Sequence, residues 1–161
     1  MKDAKHVLQD LLKTASTELG IPLELSEEND CVITRADGKE LVVGAEDGDE
    51  TVWLFAPLFE VGANNREALF AWALQENVIQ EHTRGAVIGI DTATDRFLLS
   101  HRVHVSILSG DRISQILSNL FELIDTISDV IAEKQIELAQ GATSTSTTED
   151  KAASQTHHGF A

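Results

Sequence analysis

The amino-acid sequence predicts an α+β fold: a five-stranded antiparallel sheet with three helices, in the order α-βββ-α-ββ-α. Three observations carry this. Apolar residues recur at helical spacing in three separate stretches. Between them, alternating runs are broken by Asp37-Gly38, by the acidic turn at residues 46–50 and by residues 92–95, as hairpins are. No internal repeat competes with a single layered domain.

The first helix covers residues 3–18. Val7, Leu8, Leu11, Leu12, Ala15 and Leu19 share one face, Lys5, Gln9, Asp10, Lys13 and Thr17 the other, and Gly20 with Pro22 ends it. Each of those leucines contributes roughly 1.5–3 kcal/mol when fully buried, so the helix is docked. Residues 23–30 form an acidic connection with room for a short edge strand. Strands at 31–36 and 39–45 flank Asp37-Gly38, and a two-residue turn there pairs Arg35 with Glu40 and Ile33 with Val42. The next turn is longer, because a two-residue Asp47-Gly48 loop would set Glu46 against Asp49. This register puts Cys31, Ile33, Val42, Trp53 and Phe55 on one sheet face and Val32, Leu41, Val43, Val52, Leu54 and Ala56 on the other. Both faces are apolar, so the sheet is covered twice, by its own helices and by a partner or second subunit.

Asn64 followed by Glu67 has the form of a capping box and opens a helix through about Val78 that is apolar nearly all round. Residues 84–108 read as a long hairpin: a four-residue loop at 92–95 pairs Asp91 with Arg96, Ile90 with Phe97, Ile88 with Leu99 and Ala86 with His101, and Val103, Val105 and Ile107 extend the apolar face. The last helix starts near Ser109-Gly110-Asp111 and runs to about Ala139 on a stripe of Ile113, Ile116, Leu117, Leu120, Ile124, Ile127 and Ile131. The composition therefore divides the chain into a domain at residues 1–139 and a disordered Ser/Thr-rich tail at 140–161.

With 161 residues and a net charge of -15, the chain is long enough for a real core and too acidic for a nucleic-acid partner or an anionic membrane. A single cysteine, Cys31, excludes an intrachain disulfide, and charges interrupt every N-terminal apolar run, so residence in the cytoplasm is expected. No chemistry assembles. His101 and His104 are three apart on a strand and point to opposite faces; the His157-His158 pair stands without other ligands. Asp91 and Asp95 bracket a turn where Asp serves the backbone, and Arg96 is placed to neutralise one of them. Cys31 has no identifiable base, and neither a phosphate-binding loop nor GxGxxG occurs. The expectation is a binding protein, not an enzyme: no catalytic residues, cofactor or metal.

Gly85-Ala86, Ile88-Gly89-Ile90-Asp91, Thr94 and Leu99-Ser100 with Arg102-Val103 resemble the second half of the class I type III secretion chaperones, the Tir-chaperone family. Upstream, the run Leu54-Phe55-Ala56-Pro57-Leu58-Phe59 with Asn64, Ala68-Leu69, Leu74 and Asn77 fits the same pattern, and the resemblance covers roughly residues 3–139. It implies a twisted sheet with the first and third helices packed on it, and a homodimer formed through the middle helix. It also implies effector proteins as partners, bound by an N-terminal segment, with the secretion ATPase or other export components as further contacts. The other reading is a small acidic dimeric adaptor that binds a folded partner. For the dimer interface the apolar pattern suggests Leu69, Trp72 and Ala73. For the client surface, apolar pattern and resemblance together suggest Leu8, Leu11, Leu12, Val32, Leu41, Val43 and Leu54.

Overall fold

A computed structural model describes residues 3–109 and 112–152, the last eleven of these as helical backbone only. The elements follow the expected order: α1 (Ala4–Leu19), β1 (Asp30–Thr34), β2 (Glu40–Ala45), β3 (Thr51–Glu60), α2 (Arg66–Ile79), β4 (Val87–Asp91), β5 (Arg96–His104) and α3 (Ile113–Ala152). The strands form one antiparallel sheet in the order β1-β2-β3-β5-β4. The connection at residues 23–30 adds no strand, although Leu23 is buried.

α1 begins where the Asp3 carboxylate accepts the Lys5 N–H at 3.2 Å, and stops where Gly20, at φ 69, donates to the Ser16 carbonyl. Ala4, Leu8, Leu11, Leu12 and Ala15 form its buried stripe. α1 and α3 pack on the β2–β3 part of the sheet and on each other, and α2 closes the β4 end. There the rings of Phe59 and Phe70 meet Phe97 edge-on at 6.1 and 6.0 Å. All three helices thus serve one face of the sheet.

The β1–β2 register differs from the expected one. Gly38, at φ 86, donates to the Arg35 carbonyl, and the Arg35 N–H donates to the Lys39 carbonyl, both at 2.9 Å. That is a three-residue turn in which the glycine alone is left-handed, whereas the two-residue turn expected for Asp37-Gly38 needs a positive φ at Asp37 as well. Ile33 therefore faces Leu41 and Thr34 faces Glu40. The one-residue slip moves Cys31 and Ile33 to the core face with Leu41, Val43 and Leu54, and leaves Val32 with Val42, Trp53 and Phe55. Arg35 also pins the turn to α3. Its guanidinium donates to both Asp125 oxygens, at 2.7 and 2.9 Å, pairs with Asp37 and lies 5.3 Å from the Phe121 ring centre, while Lys39 donates to Asp125.

The second turn is the longer one, with Ala45 opposite Val52. In the long hairpin, Asp91, Ile90 and Ile88 face Arg96, Phe97 and Leu99 as read. β4 starts at Val87, after Ala86, and β5 ends at His104. Val105–Ile107 then coil into a 3-10 turn that His104 caps by accepting the Ser106 N–H, so Ile107 is 67% exposed and does not extend the apolar face. The expected capping box is not formed: α2 starts at Arg66 after a left-handed Asn65 whose side chain makes no capping bond. Arg66 holds that end instead, paired with Asp95 at 2.6 Å and lying 4.8 Å from the Phe70 ring centre; it is Arg66, not Arg96, that neutralises Asp95. α3 carries its helical backbone on to Ala152, past the expected end of the helix at about Ala139. Residues 153–161, with His157-His158, lie outside the described residues.

Candidate functional site

The face of the sheet turned away from the helices is apolar and open. Val32 is 52% exposed, Val87 is exposed, and Val42, Trp53, Phe55 and Leu98 are half-buried. Trp53 lies against the backbone of Gly44, where a Cβ would stand 2.1 Å from its Cζ2, and its ring centre is 5.1 Å from that of Phe55. A sheet face of this composition is ordinarily covered.

The two sheet edges differ. In β1 the bonds Ala45 N–H to Asn29 carbonyl and Arg35 N–H to Lys39 carbonyl set the phase of the ladder, so Val32 and Thr34 turn their N–H and C=O groups outward. Among the described residues nothing pairs with them, although Asp30 next to them accepts from Ser26 at 2.6 Å. The β4 edge is closed at Ile88. The Asn77 side-chain amide donates to the Ile88 carbonyl at 2.9 Å and accepts the Ile88 N–H at 2.7 Å, standing in for a neighbouring strand. The loop after α2 is held by Glu76: burial pushes its carboxyl up, but the His82 backbone N–H at 2.6 Å and ring at 3.1 Å bring it out below its ordinary value.

Of the suggested client residues, Leu8, Leu11, Leu12, Leu41, Val43 and Leu54 are buried between the helices and the sheet, and Val32 is on the open face. Of the suggested dimer residues, Leu69 (1% exposed) and Ala73 are buried under α2 and Trp72 is half-buried. The exposed apolar side of α2 is instead Leu74 (68%), Val78 (84%) and Ile79. Sequence reasoning missed Val42, Trp53 and Phe55 as open-face residues; the signal that finds them is the three-residue reading of Ala36-Asp37-Gly38.

His101 lies on the core face opposite Leu54, half-buried, and its ring makes no hydrogen bond among the described residues. The Asp91 carboxylate accepts from the Thr94 hydroxyl and the Ala93 N–H, which is turn-holding work. Burial pushes the Cys31 thiol up, away from nucleophile chemistry. No group of three or more metal-binding side chains occurs among the described residues, and none of their helices is long and apolar enough to cross a membrane. What the arrangement offers is surface.

No curated protein sequence matches the chain. Among solved structures, it is similar to a chain of the ExsC–ExsE complex (TM-score 0.65, 17% identity, covering 81% of this chain and 97% of that one). It is similar also to a chain of the HopA1–SchA chaperone–effector complex (0.62, 17%, 78% and 96%) and to one of the ExoT–SpcS complex from Pseudomonas aeruginosa (0.53, 18%, 74% and 95%). At such identities the likeness establishes the fold. The sequence profile of the Tir chaperone protein (CesT) family matches residues 10–128, which take in every strand, all of α2 and most of α1, and the chain belongs to that family.

Proposed function

We propose that this protein is a type III secretion chaperone that binds the N-terminal region of an effector in the bacterial cytoplasm and keeps it non-globular for delivery to the export machinery. The observation that carries the reading is the open apolar sheet face beside the unpaired β1 edge. An extended client segment can continue the sheet from Val32 and Thr34 by backbone bonds and lay apolar side chains on Val42, Trp53 and Phe55. Ordering such a segment costs about 2–5 kcal/mol, so several anchors of roughly 1.5–3 kcal/mol each are needed. Association alone does this work; no catalytic step, cofactor or nucleotide enters. Complexes of chaperones with effectors among the structural neighbours support the partner class.

The same reading makes the protein a homodimer through Leu74, Val78 and Ile79 of α2, with Trp72 at the margin, in place of the buried Leu69 and Ala73. In the same proposal, the chain beyond residue 139 is the part that contacts the secretion ATPase or other export components. The test is co-purification with a secreted effector of the same system, followed by limited proteolysis. The expected result is a protected N-terminal segment in an otherwise protease-sensitive client, lost in Val42→Asp. Recovery of an intact folded domain, insensitive to Val42→Asp, favours the small acidic adaptor instead.

A further inference from the structure

Beside the turn that leads from β2 into β3, the open face holds a depression of about 420 Å³. Trp53 and Phe55 make its floor, Glu28, Glu46 and Asp47 stand along one side, and Arg102 borders the other. The topology separates these charges. Glu28 precedes β1, and Glu46 and Asp47 lie in the β2–β3 turn, whereas Arg102 faces Trp53 from β5 on the opposite side of the ring. Asp47 shares its charge with Lys5 at 3.2 Å; Glu28 and Glu46 have no ion pair among the described residues, nor does Arg102. Elsewhere in this chain an aromatic face near a carboxylate carries a cation: Arg35 with Phe121 beside Asp125, Arg66 with Phe70 beside Asp95. Among the described residues the Trp53–Phe55 floor carries none. The glycine at 44 is what lets the indole lie on the sheet as a flat platform.

We infer that this depression receives an arginine or lysine side chain of the client segment, its cation over Trp53 and Phe55 and facing Glu28 and Glu46. The inference rests on reading the open face as the client surface and adds the chemistry of one anchor. Apolar anchors tolerate many sequences; a cation seated on an aromatic floor beside two unpaired carboxylates selects for charge.

The probes are two acetylated peptides of alternating valine and threonine, one with a central arginine and one with its neutral isostere citrulline. Binding is followed by calorimetry and by the indole N–H resonance of Trp53, assigned with Trp53→Phe. The arginine peptide should bind roughly three- to tenfold tighter, shift that resonance, and lose its advantage as salt rises from about 50 to 500 mM. Glu28→Gln with Glu46→Gln, both on exposed turns, should abolish the advantage without changing circular dichroism. Arg102→Gln should enlarge it. Equal affinity for the two peptides, with both lost in Val42→Asp, overturns the inference and leaves the client surface standing. Binding of neither peptide, or an arginine preference that falls in Arg102→Gln, overturns it as well. A change of oligomeric mass in Trp53→Ala with peptide affinity unaltered makes a second copy of the chain the occupant and also overturns it.

Discussion

Asn77 closes one sheet edge with a single side chain, and its removal is a sharp test of how this sheet is organised. The amide makes two bonds of 2.7 and 2.9 Å to the N–H and C=O of Ile88, and among the described residues nothing else replaces a strand there. Each bond contributes about 0.5–1.5 kcal/mol net, so Asn77→Ala should destabilise the fold by about 1–3 kcal/mol. In a domain of this length that lowers the melting temperature by about 3–10 °C at fixed protein concentration. Asn77→Asp sharpens the point. The carboxylate can still accept the Ile88 N–H, but its second oxygen faces the Ile88 carbonyl with no proton to donate. The aspartate should therefore be as damaging as alanine at neutral pH and recover on acidification, as the protonated carboxyl regains one O–H donor. Chemical denaturation gives the stability, and amide exchange at Ile88 reads the bond directly. An Ile88 amide that exchanges no faster in Asn77→Ala than in the wild type refutes the clamp.

Three further outcomes follow from burial and charge. Leu74→Glu with Val78→Glu, both on exposed positions, should give folded monomer by light scattering, whereas Leu69→Glu, buried in the core, should give unfolded or insoluble protein; a folded wild-type monomer at tens of micromolar ends the proposed dimer. Val42→Asp should keep the circular dichroism spectrum and lose client binding, whereas Val43→Asp, one residue away on the core face, should cost more than about 3 kcal/mol and lose both; identical behaviour of the two refutes the assignment of faces. Arg35 holds the Asp37 carboxyl down to about 2, and with Lys39 holds that of Asp125 well below its ordinary value. Both folded values lie below the unfolded value of about 4, so both contributions are complete above pH 4 and decline as pH falls below it, that of Asp37 disappearing as pH falls through about 2. Asp125→Asn should thus be less stable than the wild type at pH 7 by denaturant titration, with the gap narrowing as pH falls below about 4; a gap independent of pH refutes the linkage.

Much of this molecule is set by short-range chemistry and is legible in the sequence. The leucine spacing of α1 with Gly20 behind it, the pairing of Asp91 with Arg96 across a four-residue loop, and the isoleucine stripe of α3 each depend on neighbours within one turn or one hairpin. Element order follows from them, whereas the pairing of β3 with β5 across α2 joins segments tens of residues apart and does not. The candidate site was not legible in the same way. Both faces of β1, β2 and β3 are apolar, so alternation says which residues travel together but not which set meets the helices. That choice passed through the Asp37-Gly38 turn, where a third loop residue moves Cys31 and Ile33 from one face to the other. Around α2 the difficulty is the same: Leu69 and Leu74 are equally apolar, and only the packing of Phe70 on Phe97 and of Asn77 on Ile88 determines which side is covered. Periodicity is a property of one segment, whereas burial belongs to a pair of surfaces, and the second member of each pair comes from residues tens of positions away. The tertiary structure therefore decided that Leu41, Val43 and Leu54 are core while Val32, Val42, Trp53 and Phe55 are surface.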